Sequence, residues 1–211
     1  LLRRDEQAIE AVFEGLVISG IAMAYAGMSR PAAGVEHYFS HIWDMRGLEF
    51  GTPIDLHGIQ CAWGTLLSVK LYEKMKTIKP HIEKAIAAVN AVEFDKWSDE
   101  RREFLGSSAE PMISKEYKDK KYDKQRHLAR IEYICDHWDD ILRIINEELP
   151  SYQELSALLD VIGIEKAPVA IGVSGEALRL SFKATKDIRD KYVLSRLAWD
   201  LGELENLCEI L

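Results

Sequence analysis

Apolar residues recur at helical spacing from Asp5 to about Gly27, with Ile9, Val12, Phe13, Leu16 and Val17 on one side. Further along, the segment is apolar all round, which predicts a helix buried on every side. Its uncharged run, Gly15 to Ser29, is 15 residues long. A membrane span needs roughly 20, so no span is expected. Ser29-Arg30-Pro31 ends this helix, because proline disfavours helix at the residue before it. The pattern then predicts helices over 33–45 and 56–76, with a loop at 47–53, and a short helix over 81–90 opened by Pro80. Ser98-Asp99-Glu100-Arg101 looks like a capped helix start. The charged stretch 115–126 reads as a solvated face or an exposed connection. Ile131, Ile134, Trp138, Ile141, Leu142, Ile145 and Leu149 recur at spacings of three and four, predicting one helix ended by Pro150. Ser151 to Glu154 is a capping-box pattern. Residues 168–174 form an apolar joint that could pass for a short strand, and helices over 175–185 and 193–209 follow. With no run of alternating strands, the fold class is all-α, a multi-helix bundle.

Composition narrows the function classes. The chain has 211 residues, 47% of them hydrophobic and 29% charged, with a formal net charge of −8. That balance fits a folded core. It argues against nucleic acid as a partner, since phosphate backbones demand surplus basic charge. The length fits one domain and leaves no room for a nucleotide-binding domain beside a catalytic one. Cys61, Cys135 and Cys208 are far apart and form no Cys-x-x-Cys, so three free thiols in a reducing, cytoplasmic setting are expected.

The chemistry concentrates in one region. Of the six histidines, His37, His41 and His57 lie within 21 residues. His37 and His41 sit i, i+4 on one helix face, and His57 opens the next helix. Imidazole is the commonest neutral metal ligand, and such a set can aim two or three nitrogens at one ion. Histidines at this spacing are more often satisfied core or surface residues, and both readings stand on spacing alone. Tyr38 occupies the place of the glutamate in H-E-x-x-H, so metalloprotease chemistry is not indicated. Ahead of His37, Ser29 and Arg30 lie in a small-residue turn entering the helix, an arrangement suited to an anion such as phosphate. Pairing of Arg30 with Glu36 is the plainer alternative.

Two segments carry a resemblance: Ser29-Arg30-Pro31-Ala32-x-Gly34-x-Glu36-His37-x-x-x-His41, and Leu56-His57-Gly58-x-Gln60-x-x-x-Gly64-Thr65. Together they resemble the C-terminal half of glycerol-1-phosphate dehydrogenases, in the metal-dependent glycerol dehydrogenase and dehydroquinate synthase superfamily. The segment Lys183 to Tyr192 and Leu201-Gly202 resemble the last helices of that family. The resemblance implies a helical C-terminal domain covering 1–211, with the nucleotide-binding domain and the start of the helical domain upstream of Leu1. It implies a divalent metal (zinc, nickel or iron) on His37 and His57, and places His41 as a catalytic residue beside the NAD(P) nicotinamide and the substrate. Ser29 and Arg30 are candidates for contact with a small phosphorylated three-carbon substrate. The family's third ligand is an aspartate expected upstream, for which Asp5 and Asp44 are the only nearby substitutes. Ile59 departs from the glutamate that many relatives carry.

The implied reaction is hydride transfer between NAD(P)H and dihydroxyacetone phosphate, giving glycerol 1-phosphate, with the isolated 211 residues inactive. A homo-oligomer is also expected. The rival readings are a dehydroquinate synthase-like lyase, a non-catalytic helical interaction domain and a metal hydrolase.

Overall fold

A computed structural model describes residues 5–29, 32–120 and 122–211, and among these residues it contains helices and no strand. Twelve α-helices follow in order: α1 (Glu6–Ala26), α2 (Val35–Phe50), α3 (His57–Met75), α4 (Ile82–Asn90), α5 (Phe94–Leu105), α6 (Ala109–Asp119), α7 (Lys124–Asp136), α8 (Trp138–Glu148), α9 (Tyr152–Ile162), α10 (Gly175–Thr185), α11 (Leu194–Asp200) and α12 (Leu204–Cys208). The all-α class holds, and the joint at 168–174 is a 3-10 turn, Pro168–Ile171, rather than a strand.

The pair α2 and α3 forms the centre, with α10 against α2 and α9 against α3. Phe39, Ile42 and Trp43 from α2 are buried with Trp63, Leu66, Leu71 and Met75 from α3 and Phe182 from α10. Phe39 and Phe182 stack with ring centroids 6.1 Å apart. The buried indoles keep their N–H groups satisfied, as buried polar atoms must. Trp43 Nε1 donates to Ser181 Oγ (3.2 Å), and Trp63 Nε1 donates to the Glu165 carbonyl (2.8 Å).

Several boundaries differ from the sequence reading, each for a local reason. Helix α2 runs through Gly47 to Phe50 and stops at Gly51, whose φ of 66° takes the left-handed cap. Ser98 is not a helix start. It lies buried inside α5, donating to the Phe94 carbonyl four residues back (2.9 Å), which satisfies its hydroxyl without a cap. The long apolar repeat is two helices, broken at His137 (φ −113°, ψ 17°), because Trp138 turns into the core while His137 stacks on Tyr133. The last helix divides at Gly202, where φ is 70°. The charged stretch 115–126 is the end of α6 and the start of α7, and Glu116 within it is buried. The capping box at Ser151 and Glu154 forms as expected.

The largest correction is α1. It was expected to be buried on every side, and none of its residues is buried. Phe13 and Leu16 are each 67% exposed. Its 21 residues have the length and composition to cross a bilayer, a test that core helices of soluble proteins also pass. The apolar periodicity was real, but a sequence pattern cannot say which surface covers it. Asp5 caps the helix by accepting from the Ala8 amide (2.9 Å), so the residue considered as a substitute metal ligand serves as a helix cap instead.

Candidate metal centre

The site is built on the α2–α3 pair. The connection 51–56 runs back along α2, with Ile54 packed against Gly47, so α3 begins opposite the middle of α2. Gly64 then lets the two backbones touch. A Cβ there would stand 2.7 Å from the Glu36 carbonyl oxygen and 2.9 Å from its Cα. Glu36 adjoins His37, so this close approach sets the separation of the two histidine-bearing faces.

His57 Nε2 lies 3.1 Å from His37 Nδ1. His41 joins the group one turn along α2, with its ring 5.8 Å from that of His57 and 6.4 Å from that of His37. The three histidines singled out in the sequence are therefore brought together. The structure adds Cys61, which the sequence reading left as an ordinary free thiol. Its Sγ is 3.5 Å from His57 Nε2 and 3.6 Å from His37 Nδ1. Among the described residues, His37, His57 and Cys61 are the group whose potential ligand atoms all lie within 4.8 Å of one another. The signal that could have found Cys61 is its i+4 spacing from His57, which puts both on one face of α3.

A polar chain orients His57 from behind. Ser40 Oγ is 2.8 Å from His57 Nδ1, leaving Nε2 to face the cluster. Gln60 Nε2 donates to Ser40 Oγ (3.0 Å) and to Asp44 Oδ1 (2.7 Å). Asp44 thus lies behind the histidines as an acceptor and takes no place among the clustered donors. Partners of this kind fix imidazole orientation, and losing one typically costs about 10–100-fold in metal affinity. Ser40→Ala is accordingly expected to weaken metal binding about 10–100-fold, measured by competition with a chromophoric chelator. Unchanged affinity would show that packing alone orients His57.

The cluster opens to a cavity of about 510 Å³ whose walls include Met28, Ser29, Ala33, His37, Tyr38, His41, Arg189 and Lys191. Ser29 is exposed at its rim, and Arg30 lies outside the described residues. Burial lowers the pKa of His41, the Arg189 charge lowers it further and His57 adds to this, while Asp44 opposes them. Neutral imidazole is therefore the favoured form near pH 7. Burial, with Glu36 adding to it, pushes the Cys61 thiol up to about 11. Arg189 and Lys191 were quoted in the sequence for resemblance only, and the fold gives them a place. Lys191 Nζ donates to the Ala33 carbonyl, which ties this segment to the turn before α2. On its far side the segment walls a second cavity of about 460 Å³ that includes Lys118, Arg126, Arg130 and Arg196. Basic side chains thus outnumber Asp119 and Asp190 along these two walls, in a chain that is acidic overall.

The class this defines is an all-α unit with an imidazole and thiol cluster beside a cavity that carries Arg189 and Lys191. Sequence comparison sharpens that class. Part of the chain is similar to glycerol-1-phosphate dehydrogenases [NAD(P)+]. It is 38% identical to that of Halalkalibacterium halodurans over 90 residues, 42% of this chain and 23% of the relative. It is 42% identical to that of Archaeoglobus fulgidus over 88 residues, 39% of this chain and 24% of the relative. It is 45% identical to that of Picrophilus torridus over 67 residues, 32% of this chain and 18% of the relative. The match to this chain spans about a quarter or less of the length of these relatives. No family model matches the chain, and no solved structure does.

Proposed function

We propose that this chain is the metal- and substrate-holding helical domain of an NAD(P)-linked oxidoreductase that interconverts dihydroxyacetone phosphate and glycerol 1-phosphate. The observation that carries the reading is the 3.1 Å approach of His37 and His57 across α2 and α3, with His37 also lining a cavity that Arg189 and Lys191 share. The donor set fits a divalent metal, since two imidazole nitrogens and a sulfur converge on one point. When bound, such a metal polarises the substrate oxygen as a Lewis acid, and the nicotinamide supplies or accepts the hydride.

The chain's own residues do the rest. His37 and His57 hold the ion, and Ser40 keeps the His57 ring aimed at it. Arg189 and Lys191, with Ser29 at the rim and Arg30 as a further candidate, hold the phosphate. Guanidinium and ammonium groups bind such an anion by charge-assisted hydrogen bonds. His41, kept neutral, is available at the cavity wall to orient the reacting carbon against the nicotinamide and to carry a proton. The role of these groups is to fix the reactants and to exclude water. The three free cysteines support the cytoplasmic setting. The exposed apolar surface of α1 supports association with further protein, in keeping with the homo-oligomer expectation.

Replacing His37 or His57 by Ala tests the reading. Bound metal is expected to fall from about one ion per chain towards zero, read by elemental analysis; undiminished stoichiometry would remove the ligand assignment. In a protein that carries a nucleotide-binding domain ahead of this chain, NADH or NADPH oxidation should depend on dihydroxyacetone phosphate. The 211 residues alone should show none.

A further inference from the structure

Resting on the metal reading above, we infer that Cys61 is itself a metal ligand. Its thiolate completes a His37–His57–Cys61 donor triangle that this chain supplies without any residue from elsewhere.

The distances carry the inference. In a tetrahedral zinc site, Zn–N is about 2.0–2.1 Å and Zn–S about 2.3 Å. Tetrahedral angles then place two ligating nitrogens about 3.3–3.4 Å apart, and a nitrogen and a sulfur about 3.5–3.6 Å apart. The cluster shows 3.1 Å between His57 Nε2 and His37 Nδ1, and 3.5 and 3.6 Å from Cys61 Sγ to those two nitrogens. All three edges therefore match one face of a zinc tetrahedron to within a few tenths of an ångström. Three separate features of the sequence produce this face: the helix turn between His57 and Cys61, the close approach at Gly64, and the Ser40 contact that turns His57 Nε2 inward. The fourth corner is left for a substrate oxygen, water or one further donor, the plan of a catalytic rather than a structural zinc site. On coordination the S–H bond breaks, sulfur binds as thiolate, and the proton leaves to solvent. A soft sulfur among two imidazoles favours zinc over harder ions such as magnesium or manganese.

The test uses the 211-residue chain, stripped of metal and titrated with Co2+, whose spectrum reports sulfur ligation. The wild type should show a sulfur-to-cobalt charge-transfer band in the near ultraviolet. Cys61→Ser should lose that band and bind Co2+ at least about tenfold more weakly, since even outer-sphere losses cost about that much. Co2+ bound by the wild type without the band, or a band that survives in C61S, overturns the assignment and leaves the histidine site standing. No Co2+ binding by the wild type overturns both. A second measurement needs no variant. Zn2+ should slow iodoacetamide alkylation of Cys61 at least about tenfold while leaving the half-buried Cys135 unaffected. Equal Cys61 rates with and without Zn2+ overturn the inference.

Discussion

Asp187→Ala is expected to be among the most destabilising single substitutions in this chain, costing about 3–5 kcal/mol. For a domain of this size, roughly 2–4 °C per kcal/mol makes that a fall in Tm of about 6–20 °C. Asp187 is fully buried just beyond α10. It accepts from Lys186 Nζ (2.7 Å to each oxygen), Trp97 Nε1 (3.1 Å) and Tyr122 OH (3.3 Å), and Arg101 Nε stands 3.2 Å away. Lys186 and Arg101 are themselves buried. Removing the carboxylate takes away the counter-charge held against Lys186 and Arg101, and uncompensated buried charge is what makes breaking a buried pair costly.

Acid should reproduce part of the loss. Burial alone would raise the Asp187 pKa, but Lys186 and then Arg101 outweigh it and hold it below the usual carboxylate range. A lowered folded-state pKa means that the contribution is present above the unfolded pKa and is lost as pH falls through the folded one. The stability of the wild type should thus fall in acid more steeply than that of Asp187→Ala, measured by urea unfolding across pH. A Tm within about 2 °C of wild type for the variant would show that water reaches the network. Because Arg189 and Lys191 follow within four residues, the same substitution should also loosen the basic wall of the cavity.

Gly64→Ala should weaken metal binding at least about tenfold while the chain stays helical. The added Cβ meets backbone rather than a side chain: the Glu36 carbonyl oxygen at 2.7 Å and its Cα at 2.9 Å. No rotamer change can relieve that contact, so α2 must move away from α3. Overpacking of this kind costs about 1–3 kcal/mol, a loss that the large α2–α3–α10 core can absorb. The site is less tolerant, because functional geometry has to be held within about 0.5 Å. His37 is the next residue after Glu36, while His57 and Cys61 lie two turns and one turn before Gly64 on the same helix. Moving α2 therefore opens the His37 edges of the triangle and spares the His57–Cys61 edge. Chelator competition measures the effect, with far-ultraviolet circular dichroism as the control for folding. Wild-type affinity in Gly64→Ala would mean that the hairpin adjusts without moving the ligands.

These two positions also show what could be read from the chain before it was folded. The helical class, the capping box at Ser151 and the grouping of His37, His41 and His57 are written in local spacing, and all appear. Cys61 stood four residues after His57 on one helix face, a spacing that only gains meaning once α2 brings His37 to the same point. Arg189 and Lys191 reach His41 only through packing of distant segments, and a net charge of −8 concealed their basic neighbourhood. The network around Asp187 was equally hidden, since Trp97 is 90 residues away. The reading of α1 failed for a related reason: periodicity identifies an apolar surface without identifying what lies against it.

His37, His57 and Cys61, with Ser40, Asp44 and Gln60 behind them, fall within 25 consecutive residues. Joining the ends of so short a loop has a low entropic cost, because that cost grows only with the logarithm of loop length and the contacts are local. The ring of charges around Asp187 must instead wait for segments 65 to 90 residues apart to meet. The α2–α3 hairpin is thus a local tertiary unit that can form before the Asp187 network closes, and on the reading proposed above a bound ion would tie its two helices together at that stage.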